Sequence, residues 1–316
     1  MTKVVYVTGC LGFIGGYITR ACLMRGWYVT GVDKETYASN IYLLEEFINY
    51  SNFRYIKSDI NDLSRLDDCD YVINTAAESA VDASITDSSN FIKSNITGVY
   101  NLLRLIQQKP LNSMPILLQF STDEVYGSVT SAPHTELDYL KPSNPYSGTK
   151  ASADQLINAW NVTFGIPYIL VRPTNNYGVM GQSTEKFIPK TIKLLTMNRK
   201  VPMHEQGTPM RTWLHVEDTT SAIMSIIESG VTNEIFNISG NYESTNLDVF
   251  KQILSILKPN DNYMDHVDFS VNRPGQDQRY QVDDTKLKSQ LAWSNKYEFL
   301  HTLPNIVTYY SSNFIW

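Results

Sequence analysis

The amino-acid sequence predicts an α/β fold: a doubly wound parallel sheet, followed by a smaller mixed α/β lobe in the C-terminal half. Three observations support this prediction. Short β-branched runs alternate with helix-length segments through the first half, a glycine-rich turn follows the first run, and an aspartate ends the second. Right-handed crossovers turn such alternation into a parallel sheet with helices on both faces. Ligands of these sheets bind at the carboxyl ends of the strands, so the site is expected there.

Each predicted element carries apolar side chains at the period of a strand or a helix and is bounded by turn residues. The predicted strands span residues 3–8, 28–33, 53–57, 71–74, 116–121, 168–172 and 234–239. The predicted helices span residues 13–25, 91–107, 151–164 and 216–228. After about Gly178 prolines and turn residues become frequent, which indicates a change of architecture.

Composition limits the classes of function. The chain has 316 residues, of which 42% are hydrophobic and 18% charged, as in ordinary globular proteins. A net charge of −6 argues against a general phosphate-binding surface and therefore against nucleic acid as a partner.

The cysteines at 10, 22 and 69 lack paired spacing, which favours reduced thiols and a cytoplasmic location. The histidines are scattered singly, so no metal site is expected, and the apolar run at residues 4–7 is too short to enter a membrane.

The turn after the first strand predicts a dinucleotide site. Gly9, Gly12 and Gly15 are spaced Gly-x-x-Gly-x-x-Gly and open the first helix. Glycines there let the backbone approach a diphosphate at the helix N-terminus. Asp33 ends the next strand, where a carboxylate accepts from the ribose hydroxyls and repels a 2′-phosphate. NAD is therefore expected rather than NADP, although Lys34 beside Asp33 weighs the other way.

Other residues are assigned to the same cofactor. Phe13 and Ile14 belong to the glycine turn, and Ala76 follows the fourth strand. Asp59 and Ile60 follow the third strand and can reach the adenine edge, but Asp59 is equally suited to cap a helix. Residues 1–178 are thus expected to form a Rossmann-type NAD-binding domain, to which residues 216–240 return. Residues 179–316 are expected to form mainly the substrate lobe.

A Tyr-x-x-x-Lys spacing indicates redox chemistry. Tyr146 and Lys150 lie one helical turn apart, and Thr122 supplies a hydroxyl group nearby. A free phenol titrates near pKa 10, and the ammonium together with the positive nicotinamide ring is expected to lower that pKa so that Tyr146 can act as a base. Asp123 and Glu124 add two carboxyl groups, which an alcohol dehydrogenase does not need. The plain alternatives are a surface tyrosine and lysine on a helix, and an acidic cap after a strand.

The ordered set of motifs resembles the extended short-chain dehydrogenase/reductase family, and within it the nucleoside-diphosphate-hexose 4,6-dehydratases. The resemblance covers nearly the whole chain and rests on residues 9–15, 33–38, 76–79, 95–98, 121–127, 146–150, 175–178, 185–189 and 273–280. It implies that the hexose is oxidised at C4, loses water across C5–C6 and is reduced at C6 by the same hydride. Tyr146 would be the C4 base, Glu124 the C5 base and Asp123 the acid for the C6 hydroxyl. Lys150 would also hold the nicotinamide ribose.

The resemblance also implies a sugar-nucleotide site. Arg211 and Arg273 would neutralise the substrate diphosphate, since guanidinium groups give paired donors to phosphate. Lys186 and Arg279 are second-rank candidates, which could equally be solvated surface charges, and His204 would lie against the base. The complete substrate set is Glu78, Ser79, Asn175, Asn176, Lys186, His204, Arg211, Arg273 and Arg279.

The sequence departs from the family pattern near the sugar. Ala80 and Ala83 replace large polar residues, so the hexose slot is expected to be wider. UDP-linked glucose or N-acetylglucosamine is the expected substrate; a dTDP-hexose and 5-epimerisation stay open. The alternatives are a sugar-nucleotide 4-epimerase or decarboxylase and a non-catalytic NAD-binding regulator. Helices 91–107 and 151–164 are expected to form a homodimer interface, although their apolar faces could be purely internal.

Overall fold

The structure, a computed structural model, describes residues 2–312. The strands are β1 Val4–Thr8, β2 Tyr28–Asp33, β3 Phe53–Lys57, β4 Tyr71–Asn74, β5 Ile116–Phe120, β6 Tyr168–Pro173, β7 Asn175–Tyr177, β8 Val201–Pro202, β9 Met210–His215, β10 Glu234–Ile238, β11 Tyr242–Thr245 and β12 Val267–Asp268. The helices are α1 Phe13–Met24, α2 Ile41–Phe47, α3 Val81–Thr86, α4 Ser89–Ile92, α5 Gly98–Gln107, α6 Pro145–Phe164, α7 Phe187–Thr196, α8 Val216–Ser229, α9 Asn246–Leu257, α10 Thr285–Leu291 and α11 Phe299–Ser312.

The main sheet confirms the predicted fold class. Its seven strands are all parallel, in the order β10-β6-β5-β4-β1-β2-β3. The strand order reverses between β1 and β4, which places a crevice at the carboxyl ends of these two strands. The chain returns to this sheet late, because α8 packs on α1 and β10 pairs with β6.

Side-chain alternation along the strands builds a core on each face of the sheet. Val5 and Val7 point into a cluster with α1 and α8, whereas Tyr6 points into a second cluster with α5 and α6. Successive residues of a strand face opposite sides, and helices cover both sides here, so the central strands are mostly apolar, with exceptions such as Asn74 and Gln119. A third cluster joins α7, α9 and α11 around Trp213 and Phe299, and the small sheets β11-β9-β7 and β12-β8 lie in this part of the chain.

Helix α6 begins earlier than the predicted residue 151. Asn144 accepts from the Ser147 backbone N–H at 3.0 Å, Ser147 Oγ accepts in return from the Asn144 N–H, and Pro145 occupies the first turn. This is a capping box with proline at the start of the helix, a local signal that outweighs hydrophobic periodicity. Tyr146 and Lys150 therefore lie in the first turns of the helix.

The predicted helix 91–107 is also longer and less regular. It runs from α4 into α5 through a π-helical turn at Lys93–Thr97. Asn95 in this turn accepts from the Glu78 N–H and donates to Thr149 Oγ1, each at 2.9 Å, so it joins the segment after β4 to α6. In residues 2–312 no helix combines the length and apolar character that crossing a membrane requires.

Candidate active site

The glycine turn brings two backbone segments closer than side chains would allow. Gly9 has φ +71°, and its N–H donates to the Val32 carbonyl at 2.7 Å. A Cβ on Gly15 would lie 2.0 Å from the Gly9 carbonyl oxygen, and one on Gly9 would lie 2.8 Å from the Ala76 nitrogen. Only glycine fits these positions, and the N-terminus of α1 opens on the cavity beside them.

Asp33 lies at the edge of the same turn. Its carboxylate accepts from Leu11 N–H at 3.0 Å, Glu35 N–H at 2.8 Å and Ser39 Oγ at 2.9 Å. The charge is thus fixed by three donors, with acceptor capacity left on the cavity side. A second, smaller cavity lies beside Asp33 and contains further predicted cofactor residues. Its lining includes Gly9, Gly12, Asp33, Lys34, Asp59, Ile60 and Ala76.

Asp59 caps a turn rather than a helix, and its contact with an adenine stays a prediction. One carboxylate oxygen accepts from the Asn61 N–H at 3.0 Å, which caps the turn after β3, and the residue also lines the cavity. Lys34 lies 3.6 Å from Asp59 and 3.6 Å from Glu78. Two carboxylates therefore face its ammonium, which reduces the positive charge available to a 2′-phosphate.

The structure brings the five predicted catalytic residues together. One cavity at the carboxyl ends of β1 and β5 is lined by Gly9, Gly12, Phe13, Ile14, Gly15, Thr122, Asp123, Glu124, Tyr146 and Lys150. Thr122, Asp123 and Glu124 leave β5 in a 3₁₀ turn, while Tyr146 and Lys150 come from α6. The glycine cradle, Asp33 and this cavity fit a dinucleotide whose reactive end reaches the Tyr-x-x-x-Lys pair.

Asp123 is a buried carboxyl group with incomplete hydrogen bonding. One oxygen accepts from Thr122 Oγ1 at 3.1 Å, and the other, Oδ2, is buried without a hydrogen-bond partner among residues 2–312. Burial, and then the nearby Glu124 carboxylate, raise the pKa of Asp123 to about 7. Such a group holds a proton near neutral pH and can donate it.

The expected effect of Lys150 on Tyr146 is not found in the protein by itself. Burial, followed by the Glu124 charge, raises the pKa of the Tyr146 phenol, and a hydrogen bond from Thr122 opposes this only in part. Lys150 donates to the Phe120 carbonyl at 2.5 Å, and burial lowers its pKa to about 8. The predicted lowering depends on the positive nicotinamide ring as well as on Lys150, so it stays a prediction; in the protein by itself desolvation has the largest effect on the Tyr146 pKa.

Glu124 stands where two cavities meet, since it lines both the cavity of Tyr146 and a larger one of about 860 Å³. Its Oε2 accepts from Asn144 Nδ2 at 3.4 Å and from the Tyr280 hydroxyl at 3.3 Å. The single Tyr280 proton is shared with Asp277, whose carboxylate is the nearer acceptor at 2.6 Å, and Arg211 lies over the Tyr280 ring, 4.2 Å from its centroid. Sequence reasoning placed residues 273–280 in a motif but assigned no role to Tyr280, Asp277 or Asn144.

The larger cavity collects most of the predicted substrate residues. Its lining includes Glu78, Ser79, Asn175, Lys186, His204, Arg211 and Arg273, together with the substituted Ala80 and Ala83. Lys186 donates to the Ser79 carbonyl at 2.7 Å, and burial lowers its pKa. Arg211 is buried and donates to the carbonyls of Met210 and Asp277, so its position is fixed before a ligand arrives.

Arg273 lines the same cavity but, unlike Arg211, it is paired with a carboxylate rather than held by backbone carbonyls. Its Nε lies 2.6 Å from Asp82, whose carboxylate is also 3.9 Å from His204 Nε2. Desolvation by burial raises the pKa of Asp82, but the Arg273 hydrogen bond and charge outweigh it, so the net pKa is lowered. Burial lowers the pKa of His204.

Two predicted substrate residues lie elsewhere. Arg279 is not among the residues that line these cavities; its guanidinium forms a two-point ion pair with Glu243, at 2.8 and 2.9 Å, on the neighbouring strand β11. Asn176 lines the cavity of Tyr146 rather than the larger one, and its amide is held by Thr174 and Thr219. The Glu243 carboxylate orients Arg279, and the Thr219 hydroxyl orients Asn176. Sequence spacing reveals neither contact.

The parallel sheet, the glycine cradle and the Tyr-x-x-x-Lys pair beside an adjacent acid pair define a protein of the extended short-chain dehydrogenase/reductase class. The family model described as GDP-mannose 4,6 dehydratase matches residues 6–306. The chain is 36% identical to the dTDP-glucose 4,6-dehydratase of Haemophilus influenzae over 332 residues, which covers 98% of each chain. It belongs to this family of nucleotide-sugar 4,6-dehydratases.

Solved structures agree with this assignment. The dTDP-glucose 4,6-dehydratase DesIV of Streptomyces venezuelae, solved with NAD bound, superposes with a TM-score of 0.91 at 32% identity, covering 98% of this chain and 97% of that one. The UDP-glucuronic acid 4-epimerase of Bacillus cereus reaches a TM-score of 0.90 at 23% identity, covering 98% and 99%. The second likeness shows the shared fold alone.

Proposed function

We propose that this protein is an NAD-dependent hydro-lyase that converts a nucleoside-diphosphate hexose, in the first place dTDP-glucose, to its 4-keto-6-deoxy derivative. One observation carries the proposal. A buried carboxyl group with a pKa near 7 and an adjacent second carboxyl group share a cavity with Tyr146 and Lys150. An oxidoreductase or epimerase that only moves a hydride has no need of this pair.

The dinucleotide would be held by the glycine turn and by Asp33, with Lys150 at its reactive end. When bound, NAD accepts a hydride from the sugar and later returns it to the same molecule. The tasks left to the protein are to bind the sugar, exclude water and move three protons. Residues 1–178 with 216–240 would serve the cofactor, and the rest of the chain mainly the sugar nucleotide.

Tyr146 would take the proton of the C4 hydroxyl group as that carbon is oxidised. Its burial keeps water away from the reacting oxygen and also raises its pKa. Positive charge at the reactive end of the site is therefore required to stabilise the phenolate, and Lys150 supplies part of it. The Thr122 hydroxyl lies on the same cavity wall and would bind the C4 oxygen.

The 4-keto group makes the C5 hydrogen acidic, and the two carboxyl groups then have opposite tasks. Glu124, which is oriented by Asn144 and Tyr280, would accept the C5 proton. Asp123, which is protonated near neutral pH, would give its proton to the departing C6 hydroxyl group, so that water leaves. The C5–H and C6–O bonds break and a C5–C6 double bond forms, with no net oxidation. When the hydride returns to C6, Glu124 would give its proton back to C5, which completes the 4-keto-6-deoxy sugar.

The substrate diphosphate would be held by Arg211 and Arg273. Arg211 is already fixed on Tyr280, whereas Arg273 would exchange part of its contact with Asp82 for phosphate oxygens. Lys186 lies between the two cavities and brings a further donor to the same region.

The names of the relatives favour a dTDP-linked glucose, where sequence reasoning had favoured UDP-linked sugars. A second candidate, a 2-acetamido hexose such as UDP-N-acetylglucosamine, is supported by Ala80 and Ala83, which leave space in the wall of the 860 Å³ cavity. Purified protein should be incubated with dTDP-glucose, UDP-glucose and UDP-N-acetylglucosamine, and products followed by mass spectrometry and by C5 stereochemistry. Turnover of UDP-glucose without that of UDP-N-acetylglucosamine would exclude the second candidate.

The same assay tests the reaction class. Loss of one water without added reductant is expected for the wild-type protein, and Tyr146→Phe should abolish it while leaving NAD bound, because only the phenolic oxygen is removed. A product of unchanged mass but inverted C4 would instead identify an epimerase. No product from any of these sugars, with NAD bound, would favour the non-catalytic regulator.

We also propose a homodimer formed through α5 and α6. Ile92 at the end of α4, Tyr100 of α5 and Val162 of α6 are 47%, 44% and 78% exposed, so these helices present apolar side chains outward. Sedimentation should give twice the monomer mass, and Val162→Asp should reduce it. A wild-type monomer at micromolar concentration would contradict this proposal.

A further inference from the structure

A buried ion pair lies directly beneath the Tyr-x-x-x-Lys pair and has no place in the reaction as described above. Asp154 follows Lys150 by one turn of α6, and Arg172 projects from β6; their side chains are 2% and 3% exposed. Arg172 donates from Nε to Asp154 Oδ2 at 3.0 Å, and its Nη2 lies 3.0 Å from the same oxygen. Two charges taken out of water at this depth are costly unless the site uses them or satisfies them fully.

Arg172 is well satisfied, and its partners fix its position. Its third nitrogen, Nη1, donates to the Tyr126 hydroxyl at 2.7 Å, and that hydroxyl donates to Asn237 Oδ1 at 2.9 Å. The guanidinium also lies over the Tyr126 ring, 4.8 Å from its centroid. The cation therefore needs nothing further from the site and serves as a rigid support for the carboxylate.

Asp154 is not satisfied to the same degree. Besides Arg172, it accepts from Ser121 Oγ at 3.0 Å, also through Oδ2. Its other oxygen, Oδ1, is buried and lacks a hydrogen-bond partner among the described residues. One side of the carboxylate is thus clamped, and the other has no hydrogen bond within residues 2–312. Burial raises the pKa of Asp154, whereas the Arg172 charge, the Ser121 hydrogen bond and the Lys150 charge oppose that rise and favour the carboxylate.

Lys150 is the charge that needs such a neighbour. It is buried, and the hydrogen bond from its ammonium to the Phe120 carbonyl is to a neutral group. The other titratable groups that line the same cavity are Tyr146 on its own helix, Asp123 and Glu124 on the turn after β5, and Lys186 at the start of α7. Burial lowers the pKa of Lys150 to about 8, and Asp154 is the charged group that opposes this fall.

We propose that Asp154 is a positioning residue of the active site: held by Arg172 and Ser121, it supplies the buried negative charge that keeps the Lys150 ammonium charged beside Tyr146. This inference rests on the role proposed for Lys150. Asp154 acts through Lys150 and does not touch the sugar, so its removal should change the ionisation of the lysine rather than the shape of the substrate site.

The test measures Lys150 itself in the cofactor-free protein. Lysine side chains labelled with ¹³C are titrated by NMR, and the Lys150 signal is assigned by its loss in Lys150→Arg. The wild-type pKa is expected near 8. In Asp154→Asn it should fall by about one unit or more, the size of effect that a close opposite charge produces, and Asp154→Glu should restore most of it.

Two further variants keep the test decisive. Asp154→Asn leaves Arg172 unpaired and can unfold, whereas Asp154→Asn with Arg172→Gln removes both charges and should show a smaller fall in the Lys150 pKa, because a nearby cation is removed together with the anion. Asp218→Asn is the matched control, because Asp218 is a buried carboxylate of α8 that accepts only from backbone N–H groups at 2.9 and 3.2 Å, away from the cavities. It should reduce stability and leave the Lys150 pKa unchanged.

The pH dependence of turnover provides a second measurement. The alkaline limb of kcat should move to lower pH in Asp154→Asn, by about the same amount as the lysine pKa, with KM for the sugar nucleotide unchanged. A Lys150 pKa that stays within about 0.3 of wild type in both charge-removing variants would overturn the proposal. Failure of the proposed function would look different, because the wild-type protein would then form no keto sugar while the lysine titration still shifted.

Discussion

Burial of Asp123 favours its protonated form and lowers the free energy of unfolding at pH values where the carboxyl group would otherwise ionise. This loss of stability can be measured. Burial and the Glu124 charge raise its pKa from 3.8 to about 7. In the unfolded chain the carboxyl group ionises near its ordinary value, so between these two pKa values the folded protein binds a proton that the unfolded chain releases. The free energy of unfolding must therefore fall as pH rises from about 4 to about 7.

The magnitude follows from the size of the shift. About three pKa units at about 1.4 kcal/mol each give a loss of about 4 kcal/mol above pH 7. Asp123→Asn replaces the carboxyl group with a neutral group of the same shape and removes this loss. The variant should be more stable than wild type by up to about 4 kcal/mol at pH 8, by much less at pH 5, and should lose dehydratase activity.

Urea unfolding of the cofactor-free protein at pH 5, 6, 7 and 8 measures this difference directly. Asp265→Asn is the control, because the same chemical change at an exposed position should leave the free energy of unfolding nearly unchanged at every pH. A gain for Asp123→Asn that is absent at pH 8, or equal at pH 5 and pH 8, would show that burial does not hold this carboxyl group protonated. The assignment of Asp123 as the acid would then fail.

Three further changes test other parts of the site. Glu124→Gln should permit C4 oxidation and block water loss, so reduced cofactor should accumulate on the enzyme and be visible in its near-ultraviolet absorbance; product release at the wild-type rate would contradict the assigned C5 base. Gly15→Ala should lower both NAD affinity and melting temperature, because its Cβ would lie 2.0 Å from the Gly9 carbonyl, whereas Gly148→Ala, with no atom within 4 Å, should gain about 0.5–1 kcal/mol. Glu205→Gly should raise the free energy of unfolding by about 1 kcal/mol, because Glu205 has φ 51°, and an unchanged melting temperature would exclude strain there.

The elements that sequence reasoning located well are those with a strong local signal. The runs at 28–33, 53–57 and 71–74 are strands with the predicted bounds, because their β-branched and aromatic residues contrast sharply with the turns beside them. The start of α6 was placed six residues late, because the capping box at Asn144 and Ser147 carries no hydrophobic periodicity.

The residues of the candidate site also divide into those with a local sequence signal and those without one. Thr122, Tyr146 and Lys150 were found from short spacings, and the structure brings them to one cavity. Tyr280 was missed as a partner of Glu124, because the two residues are 156 positions apart and no local pattern links them. Arg279 was included because of its motif, but its guanidinium forms an ion pair with Glu243 on a neighbouring strand.

By itself the sequence determined the parallel sheet, the glycine turn that admits a diphosphate, and the residue types available at the carboxyl ends of the strands, because these depend on periodicity and on contacts over a few residues. Tertiary structure alone decided which of these groups carry protons. Asp123 and Lys150 have shifted pKa values because segments distant in sequence exclude water from them and place charges nearby. Ionisation depends on that assembled surrounding, which no stretch of the chain contains.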